Sequence, residues 1–271
     1  MTAPGRRQHL IVFSRKEARL NLSVIKVELQ NIEMKFQTVE GETEAIRNVS
    51  LSVEAGEFVS IVGPSGCGKS TILNILSGLN KSTAGQVRVN GRMGYMLQKD
   101  HLFEWRTILN NCLVGPEVQG QDMKAARESV IHLLKTYGLE NFMHHYPNQL
   151  SGGMRQRAAL IRTLAVNPDV LLLDEAFSAL DYQTRLTMVD EVWTILKKEN
   201  KTAIIVTHDI AEAISMSDRI IVFSHRPAEV KSIYSIELAQ AGNPPLENRK
   251  DERFRHYFDA IWKELDVHVT G

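Results

Sequence analysis

Residues 63–70 read GPSGCGKS, and no other stretch constrains the chain so tightly. The octapeptide fits G-x-x-x-x-G-K-[ST] at every fixed position. It stands between a short β-branched run, Phe58 to Val62, and a helix-like run carrying Ile72, Leu73, Ile75, Leu76 and Leu79. Strand, glycine loop and helix in that order present backbone amides to a phosphate. At average glycine usage a chance match in a chain this long has a probability of roughly 0.01. Glycines at 66 and 68 let the backbone wrap closely, so that amides from Gly66 to Thr71 point inward at a helix N-terminus. Lys69 then meets the β and γ phosphates, Ser70 offers a hydroxyl to Mg²⁺, and Thr71 reaches the α phosphate. Gly63, Pro64, Ser65 and Cys67 complete the loop; Cys67 occupies a variable position, so it is expected to be sensitive to thiol reagents rather than catalytic.

A second apolar run, Val170 to Leu173, ends in Asp174 and Glu175, and parallel sheets hold their ligands at that carboxyl edge. Asp174 is expected to hold Mg²⁺ through water, and Glu175, one residue further, to reach a water in line with the γ phosphate as base or positioner.

Around these motifs the chain alternates strand and helix signals. Val24 to Phe36 and Ile46 to Val53 alternate as strands across a turn at Val39 to Thr43, while Gly94 to Leu97, Ala203 to Val206 and Ile220 to Phe223 read as further strands. Met123, Ala126, Val130, Leu133, Leu134 and Tyr137 recur at helical spacing within a helical insertion of about 100–167. Leu186 to Leu196 makes a helix between two strands, and Phe254 to Leu265 an amphipathic helix expected to pack on the body. Such alternation implies a covered, mostly parallel sheet. Residues 1–23, with a local charge of +4 (five Lys and Arg less one Glu), match none of this and are expected to be a disordered tail, or to precede a true start near Val24; 266–271 read as a second tail.

Charge excludes some functions. Lys plus Arg and Asp plus Glu are 32 each in 271 residues, so no net positive field draws in a nucleic-acid backbone, and none is expected as a partner. Two cysteines make neither a disulfide framework nor, alone, a zinc site, which suits a reducing setting. No run approaches the 18 or so apolar residues of a membrane span. His9, His101, His132, His144, His145 and His225 are read as surface residues.

LSGGMRQR at 150–157 resembles the signature of the ATP-binding cassette family. The resemblance covers about 24–265 as one domain. It implies an α/β P-loop NTPase fold: a mostly parallel central sheet, an N-terminal antiparallel β subdomain and an inserted α-helical subdomain. Residues 63–70 become the Walker A loop, and the family's other motifs follow in order. Gln98 matches the glutamine loop that senses Mg²⁺ and water, Ser178-Ala179-Leu180-Asp181 the D-loop, His208 the switch histidine, and Phe36 the aromatic that stacks on adenine. The resemblance implies ATP and Mg²⁺ as ligands, with Glu175, His208 and Gln98 catalytic and Ser70, Gln98 and Asp174 around the metal. It also implies a head-to-tail dimer in which Ser151, Gly152 and Gly153 of one copy cover the ATP on the Walker A loop of the other, with Asp181 at the interface.

Within the family, a single cassette with only 63 residues after His208 (271 less 208), and the wording LQKDHLFEWRTILNN and THDIAEAISMSDRIIVFSHRP, are similar to the nitrate, sulfonate and taurine importer group. That implies an ATPase subunit peripheral to the cytoplasmic face of the plasma membrane. Its partners would be a second copy, transmembrane permease subunits and, indirectly, an extracytoplasmic solute-binding protein. Trp105, with Leu102 and Phe103, is expected either to dock on the permease or to be core of the helical insertion. The alternatives are a non-transport cassette ATPase of DNA repair or translation, or an exporter subunit.

Overall fold

A computed structural model of the chain describes residues 24–38, 41–178, 180–238 and 242–265. The expectations for 1–23 and 266–271 lie outside the described residues. Two long strands, β1 (Ile25–Thr38) and β2 (Gly41–Glu54), pair antiparallel in a register that sets Phe36 opposite Thr43. β3 (Phe58–Val62) follows with every residue buried, as a strand covered on both faces requires. The glycine loop leads into α1 (Lys69–Leu76). β4 (Ala84–Val89) then returns to β1 and completes a three-stranded antiparallel sheet in the order β2-β1-β4.

β5 (Met93–Met96) opens the second sheet and is followed by α2 (Ile108–Cys112), α3 (Val114–Val118), α4 (Met123–Thr136) and α5 (Gly152–Leu164). After them come β6 (Val170–Asp174), α6 (Tyr182–Lys198), β7 (Thr202–Val206), α7 (Ile210–Met216), β8 (Arg219–Phe223) and β9 (Val230–Ser235). α8 (Pro245–Asn248) and α9 (Glu252–Leu265) end the described chain. The sheet order is β5-β6-β7-β3-β8-β9, parallel except for β9.

Period-two alternation divides this sheet between two cores. Phe58, Leu171, Leu173, Ala203 and Ile205 face α5, α6 and the inserted helices, whereas Val59, Ile61, Leu172, Ile204 and Val206 face α1 and the antiparallel sheet. Each fully buried aliphatic side chain contributes about 1.5–3 kcal/mol, so this double burial holds the carboxyl ends of β3, β5, β6 and β7 in one fixed row. Ile261 of α9 is buried beside Ile210 and Ile214 of α7, which places the C-terminal amphipathic helix on the body.

Several elements depart from the sequence reading. β4 and β9 were not anticipated: both are edge strands, β4 exposed along nearly its whole length and β9 at every second residue, and edges carry no continuous apolar run. α7, only seven residues, is too short for a helical period to stand out. His145 is half-buried, not a surface residue; its ring lies 5.3 Å from that of Phe142, and its Nδ1 has no hydrogen-bond partner among the described residues.

Candidate active site

Four adjacent strand ends supply the site. β3 leads into the glycine loop, β7 into Thr207 and His208, β6 ends at Asp174 and is followed by Glu175, and β5 ends two residues before Gln98. Gly66 and Gly68 take φ of +73° and +130°, conformations that L side chains rarely adopt, and a Cβ at Gly68 would come within 3.0 Å of the Ala45 carbonyl. The Lys69 ammonium, almost wholly buried, donates to the carbonyls of Gly63 (2.8 Å) and Pro64 (2.9 Å), so it lies folded over the loop it belongs to.

Ser70 Oγ donates to Asp174 Oδ1 at 3.1 Å. On the other side of that carboxylate the Tyr95 hydroxyl lies 3.3 Å from Oδ2 and 3.0 Å from Asn74 Oδ1. Burial pushes the Asp174 pKa up against the opposing pull of the two hydroxyls. A buried carboxylate in an all-oxygen setting, with its charge disfavoured, fits a hard divalent cation such as Mg²⁺. Tyr95 escaped the sequence reading, because only the register Tyr95↔Leu172 beside Leu173 and Asp174 reveals it.

Glu175 adopts φ +47°, a left-handed conformation unusual for a residue with a side chain. Its amide donates to the Val206 carbonyl at 2.8 Å, and its own carbonyl accepts from Ser178 Oγ at 2.8 Å. The carboxylate so aimed receives Gln98 Nε2 at 2.9 Å and stands 3.4 Å from His208 Nδ1, both at Oε2. Backbone strain stored at one acid between two polar side chains marks a functional position.

The other expected site residues stand apart. Ser151 caps α5, its Oγ accepting from the Met154 amide at 3.3 Å, with Gly152 and Gly153 in the first turn. Asp181 caps α6, and the Thr184 hydrogen bonds hold its carboxyl below its usual range. Among the described residues no hydrogen bond joins Ser151, Gly152 or Gly153 to residues 63–71. Of the D-loop motif, Ala179 lies outside the described residues. Phe36, near the end of β1, keeps 37% of its surface exposed. Cys67 differs from expectation: it is 1% exposed and burial raises its thiol pKa, so the loop shields it from reagents.

The loop after Gln98 joins the inserted helices. Arg162 of α5 donates to the carbonyls of Asp100 (2.6 Å) and His101 (2.7 Å), and Arg155 pairs with the Asp100 carboxylate at 3.1 Å. Asn111, wholly buried, donates to the carbonyls of Phe103, Arg106 and Thr107 and accepts the Phe103 amide at 2.7 Å. It ties down a short loop whose tip, Trp105, is 74% exposed, while Leu102 is core. Neither the arginines nor Asn111 could be found by periodicity, since their partners are carbonyls brought near by the fold.

The family described as ABC transporter matches residues 46–178. An uncharacterised ABC transporter ATP-binding protein of Bacillus subtilis, YtlC, is 44% identical, the match covering 85% of this chain and 92% of that protein. The chain belongs to the ABC transporter family. A taurine import ATP-binding protein, TauB of Roseobacter denitrificans, is 38% identical over 90% of this chain and 96% of its own. Among solved structures, the dimeric post-hydrolysis state of the ATP-binding cassette MJ0796 bound to ADP and Pi superposes with a TM-score of 0.71 at 33% identity, over 78% of this chain and 99% of that one. The fold is that of an ABC ATPase, and the chain is an ATP-binding, ATP-hydrolysing member of the family.

Proposed function

We propose that this chain is the ATP-hydrolysing subunit of an importer for a small solute of the taurine, sulfonate or nitrate kind. The observation that carries the ATPase reading is the Glu175 carboxylate, aimed by a strained backbone between Gln98 and His208 in the same row of strand ends as the phosphate loop. The importer reading rests on similarity to a taurine import ATP-binding protein along nine-tenths of the chain.

In this reading the amides from Gly66 to Thr71 hold the phosphates of ATP, and Lys69 leaves the Gly63 and Pro64 carbonyls for the β and γ oxygens. Phe36 offers a ring face to adenine. Ser70 and Asp174, with Gln98, hold Mg²⁺, which supplies charge neutralisation on the phosphate oxygens when bound. Glu175 accepts a proton from the attacking water as the water oxygen bonds to the γ phosphorus. The bridging P–O bond breaks with its electron pair going to ADP, and His208 and Gln98 keep the carboxylate and the water aligned.

Ser151, Gly152 and Gly153 form a second anion site at the start of α5. They cover the γ phosphate held by a second copy, so that two ATP molecules lie between two chains. Asp181 lies on the same interface. Closure reaches transmembrane permease subunits through the Gln98 loop and its Arg155 and Arg162 ties, with the exposed Trp105 loop as the docking point. A solute-binding protein outside the membrane selects the cargo, and this chain works at the cytoplasmic face.

The test is affinity purification of the full chain from its native membranes, with mass spectrometry of what accompanies it. A permease and a solute-binding protein are expected. Soluble DNA or ribosome factors without a permease would leave the ATPase standing and overturn the importer.

A further inference from the structure

Arg185 lies on the first turn of α6 and joins two loops that the sequence keeps apart. Its Nη2 donates to the Leu180 carbonyl at 2.9 Å, and its Nη1 stands 3.5 Å from Asp209 Oδ2. Each end of this bridge continues to a residue placed above in the site. On one side, a Cβ at Gly153 would come within 3.2 Å of Leu180 Cδ2, so Leu180 packs directly on the start of α5. Gln156 of the same helix donates to the carbonyl of Ala176, next to Glu175. On the other side, Asp209 follows His208 directly. Its amide donates to Thr207 Oγ1 at 3.1 Å, and its Oδ1 caps α7 by accepting the Glu212 amide at 3.0 Å. These two bonds tie the turn that carries His208 to Asp209 and to the start of α7.

We propose that Arg185 is a positioning residue that couples the start of α5, through Leu180, to the placement of His208 against Glu175 in the same chain. The inference rests on the two-copy reading, in which the start of α5 is pressed by the ATP of the other copy. Pressure on Gly153 displaces Leu180. The guanidinium carries that displacement to Asp209, and the 3.4 Å separation of His208 and Glu175 changes with it. Each chain thereby hydrolyses its own ATP when its α5 has closed on the other's.

The guanidinium suits this work. Its rigid planar fork holds two acceptors at once, which a lysine ammonium on a flexible stem does not do in one fixed geometry. Its Nε is buried with no hydrogen-bond partner among the described residues, and Glu212, buried near Asp209, feels its charge along with that of Arg249, so the guanidinium has a further acceptor to turn to if the Leu180 loop shifts. Coupling of this kind needs an element with two arrangements that both sites bias.

The experiment measures ATPase rate against ATP concentration for the full chain, for Arg185→Met and Arg185→Lys, and for Asp209→Asn, which keeps the α7 cap but loses the charge. ATP binding to each variant is titrated alongside. The unaltered chain is expected to respond sigmoidally. Arg185→Met is expected to bring the Hill coefficient to about 1 and kcat down roughly tenfold or more, with nucleotide affinity kept. Arg185→Lys should not rescue it, and Arg185→Met with Asp209→Asn should be no worse than either alone. A hyperbolic response of the unaltered chain, an intact Hill coefficient in Arg185→Met, or additive effects of the two substitutions would overturn the coupling. Failure of the two-copy reading shows separately, as a Glu175→Gln chain that remains a single copy on Mg²⁺ and ATP.

Discussion

His208 Nδ1 stands 3.4 Å from Glu175 Oε2, the same oxygen that accepts the Gln98 amide at 2.9 Å. Both neighbours orient one carboxylate oxygen, and the left-handed backbone at Glu175 leaves that side chain little choice of direction. Glu175→Gln keeps the shape and removes the base. Steady-state phosphate release should fall by about 10²–10⁴-fold, the usual worth of a positioned acid or base, with ATP affinity unchanged. Near-normal turnover would remove Glu175 from the chemistry.

Glu212 gives the stability a defined pH dependence. Burial, then the neighbouring Asp209 charge, push its pKa from 4.5 to about 7. Between those values the folded chain keeps a proton that the unfolded chain has lost. The contribution is therefore full below about pH 4.5 and falls away as pH rises through about 7, by about 3 kcal/mol in all. Urea melts at pH 5 and pH 8 should show the unaltered chain losing about that much more stability than Glu212→Gln over the interval. Equal losses in the two chains would place the Glu212 carboxyl in contact with water.

Both cysteines should be silent in the native state. Cys67 and Cys112 are buried, burial raises both thiols, and Cys112 is pushed up to about 12. A chromogenic disulfide reagent should therefore react far more slowly with the folded chain than with the same chain in guanidinium, where it should count two thiols. Rapid native labelling of Cys67 would show the phosphate loop opening without nucleotide.

Asn111 fixes the loop that exposes Trp105. Asn111→Ala leaves the Phe103 amide and the Arg106 carbonyl without the side chain that pairs them, while the Phe103 and Thr107 carbonyls keep the backbone amides of Arg106 and Asn111. The expected cost is about 1–3 kcal/mol from the buried groups left unpaired, with faster amide exchange at Phe103. Unchanged exchange there would mean that the loop is held by the Arg106–Glu117 pair instead.

The sequence was informative where one face, or both, must be apolar. Phe58 to Val62 and Val170 to Leu173 are buried along their whole length, so composition alone marks them as strands. The glycine loop was legible because close approach to phosphate demands residues without side chains at fixed spacing. β4 and β9 were not, since an edge strand that lies largely in water, as β4 does, or half in it, as β9 does, carries no such pattern. Tyr95, Asn111 and Arg185 were missed for another reason. Each acts on a carboxylate or carbonyl whose nearness is set by sheet register or helix packing, and no local spacing encodes it. The resemblance located the motif residues, but the strained turn at Glu175 and the burial of Cys67 were visible only in three dimensions.

The most direct measurement is sedimentation of the full Glu175→Gln chain with and without Mg²⁺ and ATP, with nucleotide counted in each species. Two chains carrying two ATP molecules are expected with nucleotide, and single chains without it. A single chain saturated with one ATP and showing no tendency to pair would contradict a site completed by the start of α5 from a second copy.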